Sequence, residues 1–179
     1  MDPFDTHGDG MIRVCFHGAE STGKTSLAQV LAEEWNCTLV PEYGRIHAET
    51  KGTDFTLEDL KDIAREQDRL MQAACESAPP LVLLDTDPLM TAAWAQMLFG
   101  KIPPELLAYD KADLYLLFAP DVPWEFDGTR FFGLPEARAD FAALAEDLLV
   151  RSGVRFQVIE GTWDEREAEA RAAIAGALG

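Results

Sequence analysis

Five short runs of mostly apolar residues, at 12–16, 38–40, 81–84, 114–118 and 154–159, punctuate the chain. Runs of this length between turn formers read as strands buried on both faces. The stretches between them carry apolar positions at three-and-four spacing, the period of a helix that buries one side. The clearest spans 56–77, where Leu57, Leu60, Ile63, Ala64, Leu70, Met71 and Ala74 line one face and Thr56 with Asp59 forms a capping box. Asp87 and Pro88 supply an N-cap and a first-turn proline for a helix that runs to Gly100. Pro135 opens another that ends before Gly153, and Thr162 with Glu165 opens the last. Strand and helix alternate, which predicts an α/β fold of three layers: a five-stranded parallel sheet with helices on both faces. No repeat, low-complexity segment or linker interrupts it. One domain is expected over 11–179, with 1–10 a disordered extension and Met11 an alternative start.

The turn after the first strand carries the most specific chemistry. Gly18-Ala19-Glu20-Ser21-Thr22-Gly23-Lys24-Thr25 fits G-x-x-x-x-G-K-[ST], with a strand before it and a helix after it. The glycines let successive amides turn toward an anion, Lys24 supplies a cation for the outer phosphates, and the Thr25 hydroxyl suits Mg²⁺. The N-terminus of the following helix adds its dipole. Gly18, Glu20 to Gly23, Lys24, Thr25 and Ser26 are therefore expected to hold ATP. Kinases, GTPases and motor ATPases share such a P-loop, so the acceptor is decided elsewhere.

Charge narrows the choice. The 32 acidic and 15 basic residues leave a net charge of −17, a surface that repels a phosphate backbone and argues against nucleic acid as a partner. The same field makes the cations expected near the loop conspicuous: Lys24, Arg45, Arg130 and Arg138. No stretch is long and apolar enough for a membrane span, no targeting segment is evident, and a cytoplasmic location is expected. Cys15, Cys37 and Cys75 lack the spacing of a disulfide or zinc framework and read as reduced thiols. Asn36 is the only asparagine, so the guanine-reading Asn-Lys-x-Asp of GTPases is absent.

In a parallel sheet of this kind, ligands gather at the carboxyl ends of the strands. Pro41-Glu42-Tyr43-Gly44-Arg45 follows the second strand, where a carboxylate can orient or deprotonate an attacking hydroxyl while Tyr43 and Arg45 hold its sugar. Asp85, directly after the third strand, is placed to join Thr25 at Mg²⁺. Asp87 serves as an N-cap, as a substrate ligand, or both, and the choice between Glu42 and Asp87 for the hydroxyl proton stays open. The segment from Trp124 through Asp127 and Arg130 to Arg138 has the composition of a lid that brings cations to the nucleotide. His17 reads as a packed core histidine, and Gly161-Thr162-Trp163-Asp164 as a base cradle or simply a cap.

Taken together, the P-loop, Pro41-Glu42-Tyr43-Gly44-Arg45, Asp85-Thr86-Asp87 and the segment from Pro123 to Arg130 resemble the ribosylnicotinamide kinase domain of the NadR family. The resemblance covers 11–178. It implies a P-loop kinase that passes the γ-phosphoryl group of ATP to the 5′-hydroxyl of nicotinamide riboside, a small nucleoside, giving nicotinamide mononucleotide for NAD salvage. Lys24, Glu42, Asp85 and Arg130 become the expected catalytic residues. Glu42, Tyr43, Arg45, Asp87, Trp124, Asp127 and Arg130 become the expected substrate contacts, and Thr25 and Asp85 the Mg²⁺ ligands. The pyridinium cation of that nucleoside suits the face of Trp124 and carboxylates such as Asp87 and Asp127. Family members carry an adenylyltransferase domain and often a DNA-binding domain ahead of the kinase. With about ten residues before Met11, only the kinase activity is expected here. A kinase for another nucleoside, or an ATP-binding regulatory module whose 124–138 loop orders for a protein partner, uses the same residues.

Overall fold

The computed structural model describes residues 10–123 and 134–179. Trp124, Asp127 and Arg130, and with them the expected lid, lie outside the described residues. Five strands, β1 (Ile12–Gly18), β2 (Thr38–Val40), β3 (Leu81–Asp85), β4 (Leu114–Phe118) and β5 (Phe156–Ile159), form one parallel sheet in the order β2-β3-β1-β4-β5. Seven helices accompany them among the described residues: α1 (Lys24–Glu34), α2 (Tyr43–Lys51), α3 (Leu57–Cys75), α4 (Pro88–Phe99), α5 (Pro104–Ala108), α6 (Pro135–Ser152) and α7 (Trp163–Leu178).

Alternation of side chains along the inner strands builds two cores from one sheet. Val14, Phe16, Leu83 and Leu116 face Ala28 and Leu31 of α1 and Ala170 and Ile174 of α7. Cys15, Val82, Leu84 and Tyr115 face the other way, onto a larger core filled by α3, α4 and α6. The three-layer expectation is borne out, with β1 at the centre paired to β3 on one side and β4 on the other.

Helix boundaries follow their caps. Thr56 and Thr162 each make both bonds of a capping box, and Gly100 and Gly153 close α4 and α6 in the left-handed conformation. The structure adds two helices that periodicity did not predict, α2 and the short α5. It also shortens the last strand, which begins at Phe156. Among the described residues that strand lies at the sheet edge, paired with β4, and Gln157 and Val158 stay exposed. The order of the inner strands brings the carboxyl ends of β1, β2 and β3 side by side. Phe16 of β1 pairs with Asp85, the last residue of β3, two residues short of Gly18.

Candidate active site

The P-loop leaves β1 at Gly18, whose φ is 124° and where a Cβ would sit 2.6 Å from the carbonyl oxygen of Phe118 on β4. Only glycine fits there. At its far end Gly23, with φ 85°, caps α1 against the ring of Trp163, and a Cβ there would lie 2.5 Å from Trp163 Cζ3. Lys24 folds over the loop, donating from Nζ to the Ala19 carbonyl at 2.6 Å and to Thr22 Oγ1 at 3.4 Å. A bound phosphate offers the same ammonium a stronger, charged partner.

Two carboxylates flank the loop. The Thr25 hydroxyl donates to Asp85 Oδ2 at 2.7 Å, so the two residues read as metal ligands are adjacent. Asp85 is buried and its Oδ1 has no hydrogen-bond partner among the described residues. Burial raises its carboxyl above the ordinary range, while the Thr25 hydroxyl and the charges of Lys24 and Arg45 draw it back. A hydroxyl beside a buried carboxylate with an unused oxygen is an all-oxygen donor set, and it fits Mg²⁺. Glu42, the N-cap of α2, spends no side-chain bond on capping. Its carboxyl is pushed up to about 7, first by burial and then by the charge of Asp85, against the opposing pull of Lys24 and Arg45.

A cavity of about 420 Å³ joins these groups to an apolar chamber. The loop from Gly18 to Ser26 lines it, with Glu42, Arg45 and Thr86. Phe55, Leu60, Ile63, Met90, Trp94 and Phe141 supply its apolar wall, with Gln67 and Thr91 as polar groups among them. The rings of Trp94 and Phe141 lie 5.1 Å apart at 54°, a packed aromatic pair. The cavity is of small-ligand size and combines an anion cradle, titratable carboxylates and a flat aromatic wall.

The expected site residues divide accordingly. Gly18, Glu20, Ser21, Thr22, Gly23, Lys24, Thr25, Ser26, Glu42 and Arg45 line the cavity, and Asp85 adjoins it through Thr25. Three others do not. Tyr43 packs against the larger core and its amide donates to Gln67 Oε1 at 2.8 Å, and it is not among the residues that line the cavity. Asp87 is fully buried: it caps α4 by accepting from the Leu89 amide at 3.0 Å and the Met90 amide at 3.4 Å, and it takes the Tyr115 hydroxyl as a donor. Of the two readings of Asp87, the cap is the one the geometry bears out. Arg138, expected at the nucleotide, directs its guanidinium to carbonyls of the loop and of Val122 instead.

His17 is the packed residue expected, with Nε2 3.3 Å from the Ala145 carbonyl and a pKa lowered to about 3 by burial. All three cysteines are free thiols, and burial raises each of them. Periodicity missed the aromatic wall of Phe55, Trp94 and Phe141, and it missed Arg166, which is 1% exposed beneath the loop. One signal for Trp94 existed: it lies two turns into a helix that starts at a strand end.

A five-stranded parallel sheet of this order, with a P-loop between its central strand and the next helix, defines a P-loop kinase fold. The chain belongs to the AAA domain family AAA_28, which matches residues 13–166. It is 30% identical over 161 residues to the trifunctional NAD biosynthesis/regulator protein NadR of Escherichia coli K12, a match covering 86% of this chain and 39% of that protein. A NadR protein solved in complex with NR superposes with a TM-score of 0.81 at 24% identity, over 94% of this chain and 52% of the other. Thymidylate kinase from Ehrlichia chaffeensis superposes with a TM-score of 0.69 at 15% identity, over 92% and 99%. The likeness to NadR read from the motifs is borne out, and the chain spans about half or less of the NadR proteins it matches. Among the described residues no helix is long and apolar enough to cross a membrane.

Proposed function

We propose that this protein is an ATP-dependent kinase that phosphorylates the 5′-hydroxyl of nicotinamide riboside to give nicotinamide mononucleotide. The observation that carries this reading is the shared cavity: Glu42, with a carboxyl near pH 7, opens onto the same space as the P-loop and the Trp94–Phe141 wall. A P-loop alone serves any ATPase. A titratable carboxylate beside it, with aromatic lining, suits an alcohol that carries a flat ring. The identity to NadR, and a NadR protein solved with NR, favour nicotinamide riboside as that alcohol.

In this mechanism Lys24 gives up its bond to the Ala19 carbonyl and, with the loop amides, holds the β and γ phosphates. Glu42 orients the acceptor hydroxyl and takes its proton as the new P–O bond forms and the bond to the ADP oxygen breaks. Thr25 and Asp85 would hold Mg²⁺, which supplies charge neutralisation across the phosphates when bound. Trp94 offers a ring face to the pyridinium cation. The resemblance assigns Arg130 to the developing charge, and Trp124 and Asp127 to the nucleoside.

The test is ADP release measured with nicotinamide riboside, with other ribonucleosides and deoxynucleosides, and without acceptor. Release that depends on nicotinamide riboside is expected. Equal release with and without every acceptor rejects the kinase reading, whereas dependence on a different nucleoside keeps the kinase and replaces its substrate.

A further inference from the structure

When the amides of a P-loop turn inward toward an anion, planarity of the peptide sends the paired carbonyls outward, and buried carbonyls need donors. Here the donors are two buried arginines from different helices. Arg138 of α6 donates from Nε to the Glu20 carbonyl at 3.2 Å, from Nη2 to the Ser21 carbonyl at 2.9 Å, and from Nη1 to the Val122 carbonyl at 2.6 Å. Arg166 of α7 donates to the carbonyls of Thr22 at 3.3 Å, Gly161 at 2.9 Å and Ala119 at 3.1 Å, and it pairs with Asp121. Neither lines the cavity.

The peptide planes gripped in this way are consecutive. Fixing the carbonyls of Glu20, Ser21 and Thr22 fixes the amides of Ser21, Thr22 and Gly23, which point the opposite way. Ser21 lies between the two planes held by Arg138 and has φ 58°, a left-handed conformation that a serine keeps only where its surroundings impose it. A guanidinium suits this task because its donors form a rigid fork, whereas an ammonium is a single point.

We propose that Arg138 and Arg166 are positioning residues for the nucleotide: without touching phosphate, they hold three consecutive P-loop amides in the anion-binding conformation. The proposal rests on reading the loop as the nucleotide site. Its test is the affinity for ADP with Mg²⁺, measured by calorimetry on the wild type, Arg138→Lys, and Arg138→Lys combined with Ser21→Gly. Arg138→Lys keeps the charge but loses the fork, and ADP affinity is expected to fall about tenfold with the circular dichroism spectrum unchanged. Glycine adopts positive φ without steric cost, so adding Ser21→Gly is expected to restore about a third or more of that loss. A merely structural Arg138 gives no such rescue. An Arg138→Lys protein that binds ADP within about twofold of wild type, or a loss that Ser21→Gly leaves untouched, overturns the proposal. Should Arg138→Lys not fold, Arg166→Lys carries the affinity measurement with the same expectation and the same overturning result. A wild type that binds no ADP overturns the nucleotide-site reading itself, and the wild-type arm alone reports it.

Discussion

At the scale of single residues, Glu42 is the most consequential group because its environment does the tuning. An ordinary glutamate at 4.5 is a poor base near neutrality, but desolvation and the neighbouring charge of Asp85 bring Glu42 to about 7. If Glu42 takes the acceptor proton, kcat/KM rises about tenfold per pH unit below pH 7 and levels above it. Glu42→Gln then loses about 10²-fold to 10⁴-fold in turnover while its affinity for ADP stays within a few-fold of wild type. A pH–rate profile and calorimetry check the two halves. Stability gives an independent reading of the same burial. The folded protein binds this proton more tightly than the unfolded chain, so stability falls as pH rises from about 4.5 through about 7. Glu42→Gln imitates the protonated form. Its unfolding midpoint should exceed that of wild type by about 2–4 °C or more at about pH 8 and match it at about pH 4. A shift of equal size at both values would remove the buried charge as its cause.

Helix α4 shows what element-scale patterns reveal and what they hide. Its start was legible because Asp87 and Pro88 are cap and first-turn chemistry, and the two amides bound to Asp87 confirm that start. Its orientation was not legible: from Pro88 to Ala93 every residue is buried, so no polar face distinguishes the side toward the cavity from the side toward the core, and Trp94 stayed hidden. Helix α2 was illegible for a different reason. Few of its residues are apolar, and its first turn is fixed from outside, by Gln67 of α3 accepting from the Tyr43 amide. Arg138 was expected near the loop but as a nucleotide ligand, and Arg166 was not expected at all, because their partners are carbonyls, which every residue has. The strands and the P-loop were readable because burial on two faces and the positive φ of Gly18 and Gly23 restrict side-chain choice directly. The Asp87 cap makes its own prediction. Asp87→Ala removes the cap and leaves the Tyr115 hydroxyl without its acceptor, a loss of about 2–4 kcal/mol. Asp87→Asn keeps an acceptor at the cap and should cost less. Urea midpoints rank the two, and ADP affinity in Asp87→Asn should stay within about twofold of wild type because the side chain lies off the cavity. An Asp87→Ala protein of wild-type stability that fails only in turnover would restore the substrate role.

For the whole molecule, a net charge of −17 and a site for a polyanion pull in opposite directions, and distance separates them. The attractive groups are local: Lys24 and Arg45 in the cavity wall, Arg138 and Arg166 beneath the loop, and the N-terminus of α1. Glu20, Glu42 and Asp85 repel at the site itself, and the other acidic residues are spread over a body with a radius of gyration of about 16 Å. At about 0.01 M salt the screening length is about 30 Å, so the nucleotide feels the entire acidic surface. Near 0.1 M it shrinks to about 10 Å, which removes the distant carboxylates first and leaves the cations of the loop acting at contact range. Near 1 M it is about 3 Å, and the local contacts weaken as well. ADP affinity at constant Mg²⁺ should therefore rise, pass through a maximum near 0.1 M and then fall, a non-monotonic curve that calorimetry across a salt series reads directly. A basic protein of the same fold would show only the fall. A fall from the lowest salt onward in this protein would mean that the loop cations outweigh the acidic surface even when nothing screens it, and that its net charge has no part in selecting the anion.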